Sequence, residues 1–192
     1  MKAFLPVLIV IVLIALAVGG CGVSGYNRVI SMDEDVKGAW AQVENQLQRR
    51  YDLIPNLVET VKGIAQQEKD VFIGVAEARN SYDKANTVNE KAAAASMVER
   101  ALGRLIAVRE AYPELKSNES FLKLQDQLEG TENRIAVERG RYNDTARSLN
   151  AYIRAIPGSL WASFAGVEKA EYFNVTSEDV KNVPEVKFSK PE

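Results

Sequence analysis

From position 31 onward, apolar residues return every three or four positions. Between Ser31 and Gln67 the recurring set is Val36, Trp40, Val43, Leu47, Tyr51, Ile54, Val58, Val61 and Ala65. Lys37, Gln42, Glu44, Gln48, Arg49, Glu59 and Lys62 fill the gaps between them. One apolar stripe with a charged face opposite is the signature of an amphipathic helix. Ser31 reads as its N-cap, with Asp33, Glu34 and Asp35 favourable in the first turn. Pro55 lacks an amide hydrogen and crowds the preceding turn. The stripe keeps phase across it, which predicts a kinked but continuous helix. The pattern resumes from Glu68 to Lys84 through Val71, Val75, Ala78 and Tyr82, and no Pro or Gly cluster marks a break near Gln66–Glu68.

Thr87-Val88-Asn89-Glu90 has the spacing of a capping box, in which hydroxyl and carboxylate each satisfy a backbone amide at a helix start. The helix it opens is expected over Val88–Tyr112, burying Met97, Ala101, Leu105, Val108 and Tyr112 and ending at Pro113. Ser117 or Asn118 then caps a last long helix. Its stripe is Phe121, Leu124, Leu128, Thr131, Ile135, Tyr142, Ala146, Leu149, Ile153 and Ile156, stopped by Pro157-Gly158. Short loops, a 3–4 spacing and no strand alternation predict an all-α fold, an elongated antiparallel bundle of long helices behind an N-terminal membrane anchor. The expected organisation is residues 1–21 as leader or anchor, 26–157 as bundle, and 158–192 as a tail packing on it. Ser177-Glu178-Asp179 could start a short helix in that tail.

The anchor rests on a different pattern. Lys2 precedes an apolar run, Ala3 to Val18, closed by Gly19-Gly20 and the sole cysteine, Cys21. One positive charge, an apolar core and small residues are the layout of a secretion signal. Val18-Gly19-Gly20-Cys21 resembles a bacterial lipobox, with Cys21 the lipid attachment site and mature N-terminus. The competing reading is an uncleaved span, since Ala3 to Val23 carries no charge and a helix of ~20 residues crosses ~30 Å of hydrocarbon.

Charge and composition narrow the chemistry. The net charge is −2, and loss of Lys2 with the leader makes it about −3. No basic excess is available for phosphate neutralisation, so no nucleic-acid partner is expected. Histidine is absent and cysteine occurs once, which excludes a Ser-His-Asp triad, a Cys-His pair and zinc sites built on those ligands. No cofactor and no metal are expected. Glu129, Glu132 and Glu138 fall near one another on the last helix, leaving a carboxylate-only enzyme as the alternative to a non-catalytic protein.

Two sets of residues stand out as surfaces. In heptad phase Glu138 occupies an apolar slot of the last helix and Arg50 a similar slot of the first. This suggests an internal polar layer in which Arg49 or Arg50 faces Glu132 or Glu138 and fixes register more than it adds stability. Arg49, Arg50, Tyr51, Asp52, Pro55 and Asn56 form a candidate partner or packing surface. Trp161 and Phe164 in the tail either pack back on the bundle or face a partner or bilayer.

Several stretches together resemble the LemA family of bacterial membrane-anchored proteins. They are Gly25-Tyr26-Asn27, Val36-Lys37-Gly38-Ala39-Trp40, the block from Arg49 to Gly63, Glu132-Asn133-Arg134-Ile135, Arg141-Tyr142-Asn143 and Pro184-Glu185-Val186-Lys187-Phe188. The Arg49–Gly63 block is the most specific. The Cys21-Gly22 junction looks like that of lipoprotein-type members. The resemblance implies an N-terminal anchor, an all-helical bundle and bacterial origin; it does not imply an enzyme, and no catalytic activity is expected. It also implies an envelope-protein partner, with a membrane metalloprotease system as one candidate. The expected protein is a tethered interaction or scaffold module of the bacterial envelope, its bulk on the extracytoplasmic side, with a purely structural envelope protein as a further alternative.

Overall fold

The computed structural model describes residues 4–174, and for much of residues 4–18 the backbone alone. The tail segments Ser177-Glu178-Asp179 and Pro184–Phe188 lie outside the described residues. The described chain is helical, without strands. Its elements are α1 (Phe4–Ile64), α2 (Lys69–Lys84), α3 (Val88–Ala107) with a 3-10 turn at Val108–Glu110, the single-turn α4 (Pro113–Lys116), α5 (Glu119–Arg154) and α6 (Gly158–Ala165).

The apolar run and the amphipathic stripe are one helix. α1 is 61 residues long, and Ser31 lies in its interior instead of capping a start. Gly22 and Gly25 separate the two patterns, but no proline falls between Pro6 and Pro55, so nothing removes a backbone donor there. Pro55 sits inside the helix, which continues past it. Among the described residues no helix is long and apolar enough to cross a membrane. Most side chains of the anchor expected at residues 1–21 lie outside the described residues.

The chain divides into two compact units, one holding α1 up to Arg50 with Glu129–Tyr172, the other holding Tyr51–Leu128. In the first, α1 and α5 run antiparallel. Arg28 lies 5.1 Å above the Tyr152 ring, Trp40 meets Tyr142 edge-on at 5.2 Å, and Arg50 reaches Glu132, so rising numbers on α1 face falling numbers on α5. Val29, Val43, Leu47, Ile135, Tyr142, Ala146 and Leu149 are buried. Each large apolar side chain removed from water contributes ~1.5–3 kcal/mol.

After α5 the chain turns at Ala155–Pro157 into α6. Gly158 packs over the Tyr152 carbonyl, where any Cβ would collide with that oxygen. Gly166 ends α6 in the left-handed region (φ 66°). Its amide bonds Ser163 and the Val167 amide bonds Ala162, which satisfies two last-turn carbonyls. The following strap is clasped to α5. The Asn150 amide donates to the Ala170 carbonyl (2.9 Å), Asn150 accepts from the Ala170 amide (2.8 Å), and the Tyr142 hydroxyl donates to the Glu171 carbonyl (2.7 Å). Burial pushes the Tyr142 phenol upward, with the Glu171 charge adding to it.

In the second unit α1 ends at Ile64 and a turn at Ala65–Glu68 reverses the chain; the Tyr112 hydroxyl donates to Glu68 there (3.2 Å). Tyr51 stacks on Tyr82 at 4.1 Å. Thr87 accepts from the Glu90 amide while Glu90 accepts from the Asn86 and Thr87 amides, a complete capping box. Those amides hold the Glu90 carboxyl below its ordinary range. Two sequence expectations need correction here. α3 gives way to the 3-10 turn after Ala107, and Pro113 opens a further turn of helix instead of ending one. The buried face of α3 is Ala92, Ala94, Ser96, Val98, Leu102 and Leu105, with Met97 40% exposed. Ser96 is accommodated because its hydroxyl bonds the Ala92 carbonyl one turn back. For α5, Asn118 is the cap, accepting from the Phe121 amide at 2.9 Å.

Candidate interaction surfaces

Three places bring the sequence-derived candidates together. The first is the ion pair between Arg50 of α1 and Glu132 of α5. Arg50 is 8% exposed, whereas the Glu132 side chain keeps 36% of its surface. The Arg50 Nε is buried without a hydrogen-bond partner. The pair is therefore lopsided: a nearly enclosed cation meets a carboxylate that water still reaches. Glu138 is not part of this contact. It binds Arg141 of its own helix at 2.9 Å, with Arg141 largely in water. Arg49 is exposed. Of the four residues expected in the polar layer, Arg50 and Glu132 are the two brought together.

The second place surrounds Pro55. Ile54, Pro55 and Val58 of α1 line a groove of about 370 Å³ with Phe72, Val75 and Arg79 of α2. Proline removes one backbone donor from the helix ladder, and Pro55 itself is exposed. Asn56 lies on a different groove, with Glu59, Thr60, Ser120, Lys123 and Gln127, polar in character. Tyr51 is buried and Asp52 exposed, so the Arg49–Asn56 run splits between the packed and the wet faces of α1.

The third is the end of the first unit where α6 meets α1. The Trp161 indole lies on Gly22 and Gly25, where a Cβ at position 25 would overlap the indole. Trp161 and Phe164 are tilted neighbours with ring centroids 6.3 Å apart. Their fates differ: Trp161 is half-buried, whereas Phe164 is 77% exposed, along with Ile156, Leu160, Val23 and Tyr26. Cys21 is exposed one residue before this contact and carries a free thiol.

Catalytic groupings are sparse. Among the described residues no group of three or more His, Cys, Asp or Glu side chains could hold a metal ion. The carboxylates of Glu90 and Glu110 are displaced downward, Glu90 by backbone amides and Glu110 by Lys116. That is the direction of a fixed anion, opposite to a general acid. Sequence reasoning missed two residues. Gly25 was singled out only within a motif, and its role as the floor beneath Trp161 depends on a residue 136 positions away. Asn150, buried on α5 as the clasp of the strap, leaves no periodic signal.

The described residues are thus all-helical, with exposed apolar side chains where α6 meets α1 and an enclosed Arg50 paired with Glu132. The profile of the LemA family matches residues 39–188, and the chain belongs to that family. Among characterised proteins it is similar to magnetosome protein MamQ 2 of Paramagnetospirillum magneticum, 28% identical over 174 residues, covering 77% of this chain and 64% of the relative. It is also similar to magnetosome protein MamQ of Magnetospirillum gryphiswaldense, 26% identical over 175 residues, covering 78% of this chain and 64% of the relative. The chain thus spans less than two thirds of the length of these relatives.

Proposed function

We propose that this chain is a membrane-anchored, non-catalytic interaction module of the bacterial envelope. One observation carries the membrane part. Ile9, Val12, Leu13, Leu16 and Val23 of α1 are all exposed, each at least half uncovered. Leaving such side chains in water forgoes ~1.5–3 kcal/mol apiece, so an apolar medium is their natural surrounding. The layout before Cys21 supports attachment by a lipidated cysteine, and the same helix segment as an uncleaved span is the competing form. In either form the helical units stand on the extracytoplasmic side.

The interaction role follows from what the helices offer. The Pro55 groove and the exposed faces of Arg49, Asp52 and Asn56 are suited to a helix or loop of another envelope protein, with a membrane metalloprotease system as a candidate through family resemblance. Among the described residues, acidic side chains engage in ion pairs and a helix cap, which support binding more than a reaction.

Mass analysis of the mature N-terminus in cells, with and without Cys21→Ser, tests this reading. A diacylglyceryl adduct on Cys21 that disappears in the variant supports the lipoprotein form. An intact N-terminus in the membrane fraction supports the span. Recovery of the native chain in the soluble fraction would refute both.

A further inference from the structure

Two charge-free stretches far apart in the chain meet at one place. Residues 3–27 and residues 155–167 contain no Asp, Glu, Lys or Arg. The Trp161 contact with Gly22 and Gly25 brings α6 against the apolar portion of α1. On α6, Gly158 and Ala162 are buried, whereas Leu160 and Phe164, four positions apart on one face, point into solvent with Ile156 just before them. The helix is therefore amphipathic in an unusual sense: one face is packed against protein, and the other is apolar and bare.

The rim of this zone has a definite chemistry. The first charge after the α1 stretch is Arg28 and the last before the α6 stretch is Arg154. Arg28 lies over Tyr152, so both helices leave the apolar zone at the same height with an arginine and an aromatic ring. Gly22–Gly25 precede Arg28 by three to six residues, about 5–9 Å of helix. Apolar side chains capped by Trp, Tyr and Arg over such a distance match the boundary between acyl chains and anionic headgroups.

We propose that α6 is an interfacial foot. Its Leu160–Phe164 face, with Ile156, lies in the lipid surface beside α1, and Arg28 and Arg154 meet lipid phosphates. The inference rests on the membrane reading above and goes further, because it assigns lipid contact to an element separated from the anchor by most of the chain. The occupant is lipid rather than a protein helix because the bare face adjoins, through the Trp161 contact, the α1 segment whose Ile9, Val12, Leu13, Leu16 and Val23 are exposed. The charges where α1 and α5 leave this zone are Arg28 and Arg154, with Glu168 following α6 beyond Gly166.

The test uses the full chain in mixed phosphatidylglycerol–phosphatidylcholine vesicles. The Trp40→Phe variant leaves Trp161 as the only tryptophan. Trp161 emission is expected to shift blue and to be strongly quenched by lipid brominated near the headgroup. The exposed-face double variant Leu160→Asp/Phe164→Asp, added to that background, is expected to float with the vesicles while losing severalfold in quenching. Its helicity is checked by circular dichroism, with Leu160→Ser/Phe164→Ser as the milder substitute. Unquenched Trp161 in a chain that floats overturns the foot and leaves the anchor standing, with α6 then facing water or a protein. Quenching unchanged by both double variants overturns it as well. A chain that fails to float at all refutes the membrane reading itself.

Discussion

Arg50 and Glu132 meet across 82 residues of sequence, and only Arg50 is enclosed. Removing the carboxylate leaves a buried guanidinium without its counter-charge. Removing both partners leaves an ordinary apolar contact. Glu132→Gln is therefore expected to lower stability by ~1–3 kcal/mol, less than for a fully buried pair because water screens the Glu132 side. Arg50→Met/Glu132→Leu is expected to recover most of that loss. Urea denaturation of the single and double variants checks this; a double variant no better than Glu132→Gln would show that the pair itself is stabilising.

Glycine positions on α1 separate close packing from mere tolerance. A Cβ at Gly25 overlaps the Trp161 ring, while one at Gly38 meets nothing within 4 Å. Gly25→Ala is expected to displace the indole and cost ~1–3 kcal/mol. Gly38→Ala should stabilise the chain by ~0.5–1 kcal/mol, since it removes only backbone freedom from a helix interior. Thermal melts and Trp161 emission distinguish the two.

The α3 capping box confers a pH dependence of definite sign. Because the folded pKa of Glu90 is depressed by the Asn86 and Thr87 amides, its contribution is present above the ordinary carboxylate range and fades as pH falls below that range. The protection factors of amides at the start of α3, taken relative to the intrinsic exchange rate at each pH, are expected to fall on acidification in the wild type but not in Glu90→Gln. Thr87→Ala, which removes the other half of the box, should cost ~1 kcal/mol at neutral pH.

The strap after α6 hangs on Asn150 and Tyr142. Asn150→Ala removes both bonds to Ala170 and should release residues 166–172 to limited proteolysis, at a stability loss of ~1–3 kcal/mol. The raised Tyr142 pKa works in the other direction from Glu90. The neutral phenol is the bonded form, so stability from this contact persists through neutral pH and is lost as pH rises past the elevated value. Ultraviolet titration should show Tyr142 and Tyr112 ionising late, and Tyr142→Phe should remove one of these two late steps.

The helices of this chain were legible wherever a periodic stripe or a named cap carried the signal. Thr87, Asn118 and the α5 stripe from Phe121 to Leu149 all behave as their spacing implies. The failures share a physical cause. Ser31 reads as a cap because the stripe begins there, but a helix start requires unpaired amides, and the apolar run upstream already supplies the preceding turns. The break at Ala65–Glu68 contains no Gly or Pro, so it reflects tertiary reversal with no local turn chemistry. On α3 an alanine-rich opening fits several phases; Val98 and Leu102 are the buried positions, whereas Met97 and Ala101 line an open groove with Val71, Gly74 and Ala78 of α2. Of the candidate surface, the Arg50–Glu132 contact was suggested by heptad phase. Glu138 occupies the same phase but bonds within its own helix, because Arg141 is one turn away. The Gly25–Trp161 contact lay beyond any local pattern.

The first unit is assembled from the two extremities of the described chain, whereas the second is built mainly from the continuous stretch Tyr51–Leu128. Ribosomes emit residues in order at ~5–20 per second, so the second unit can condense while the partners of Val29, Val43 and Gly25 are still unmade. Early α1 must therefore wait with its inner face bare for several seconds of synthesis. During that interval it is the natural client of a chaperone or an export channel.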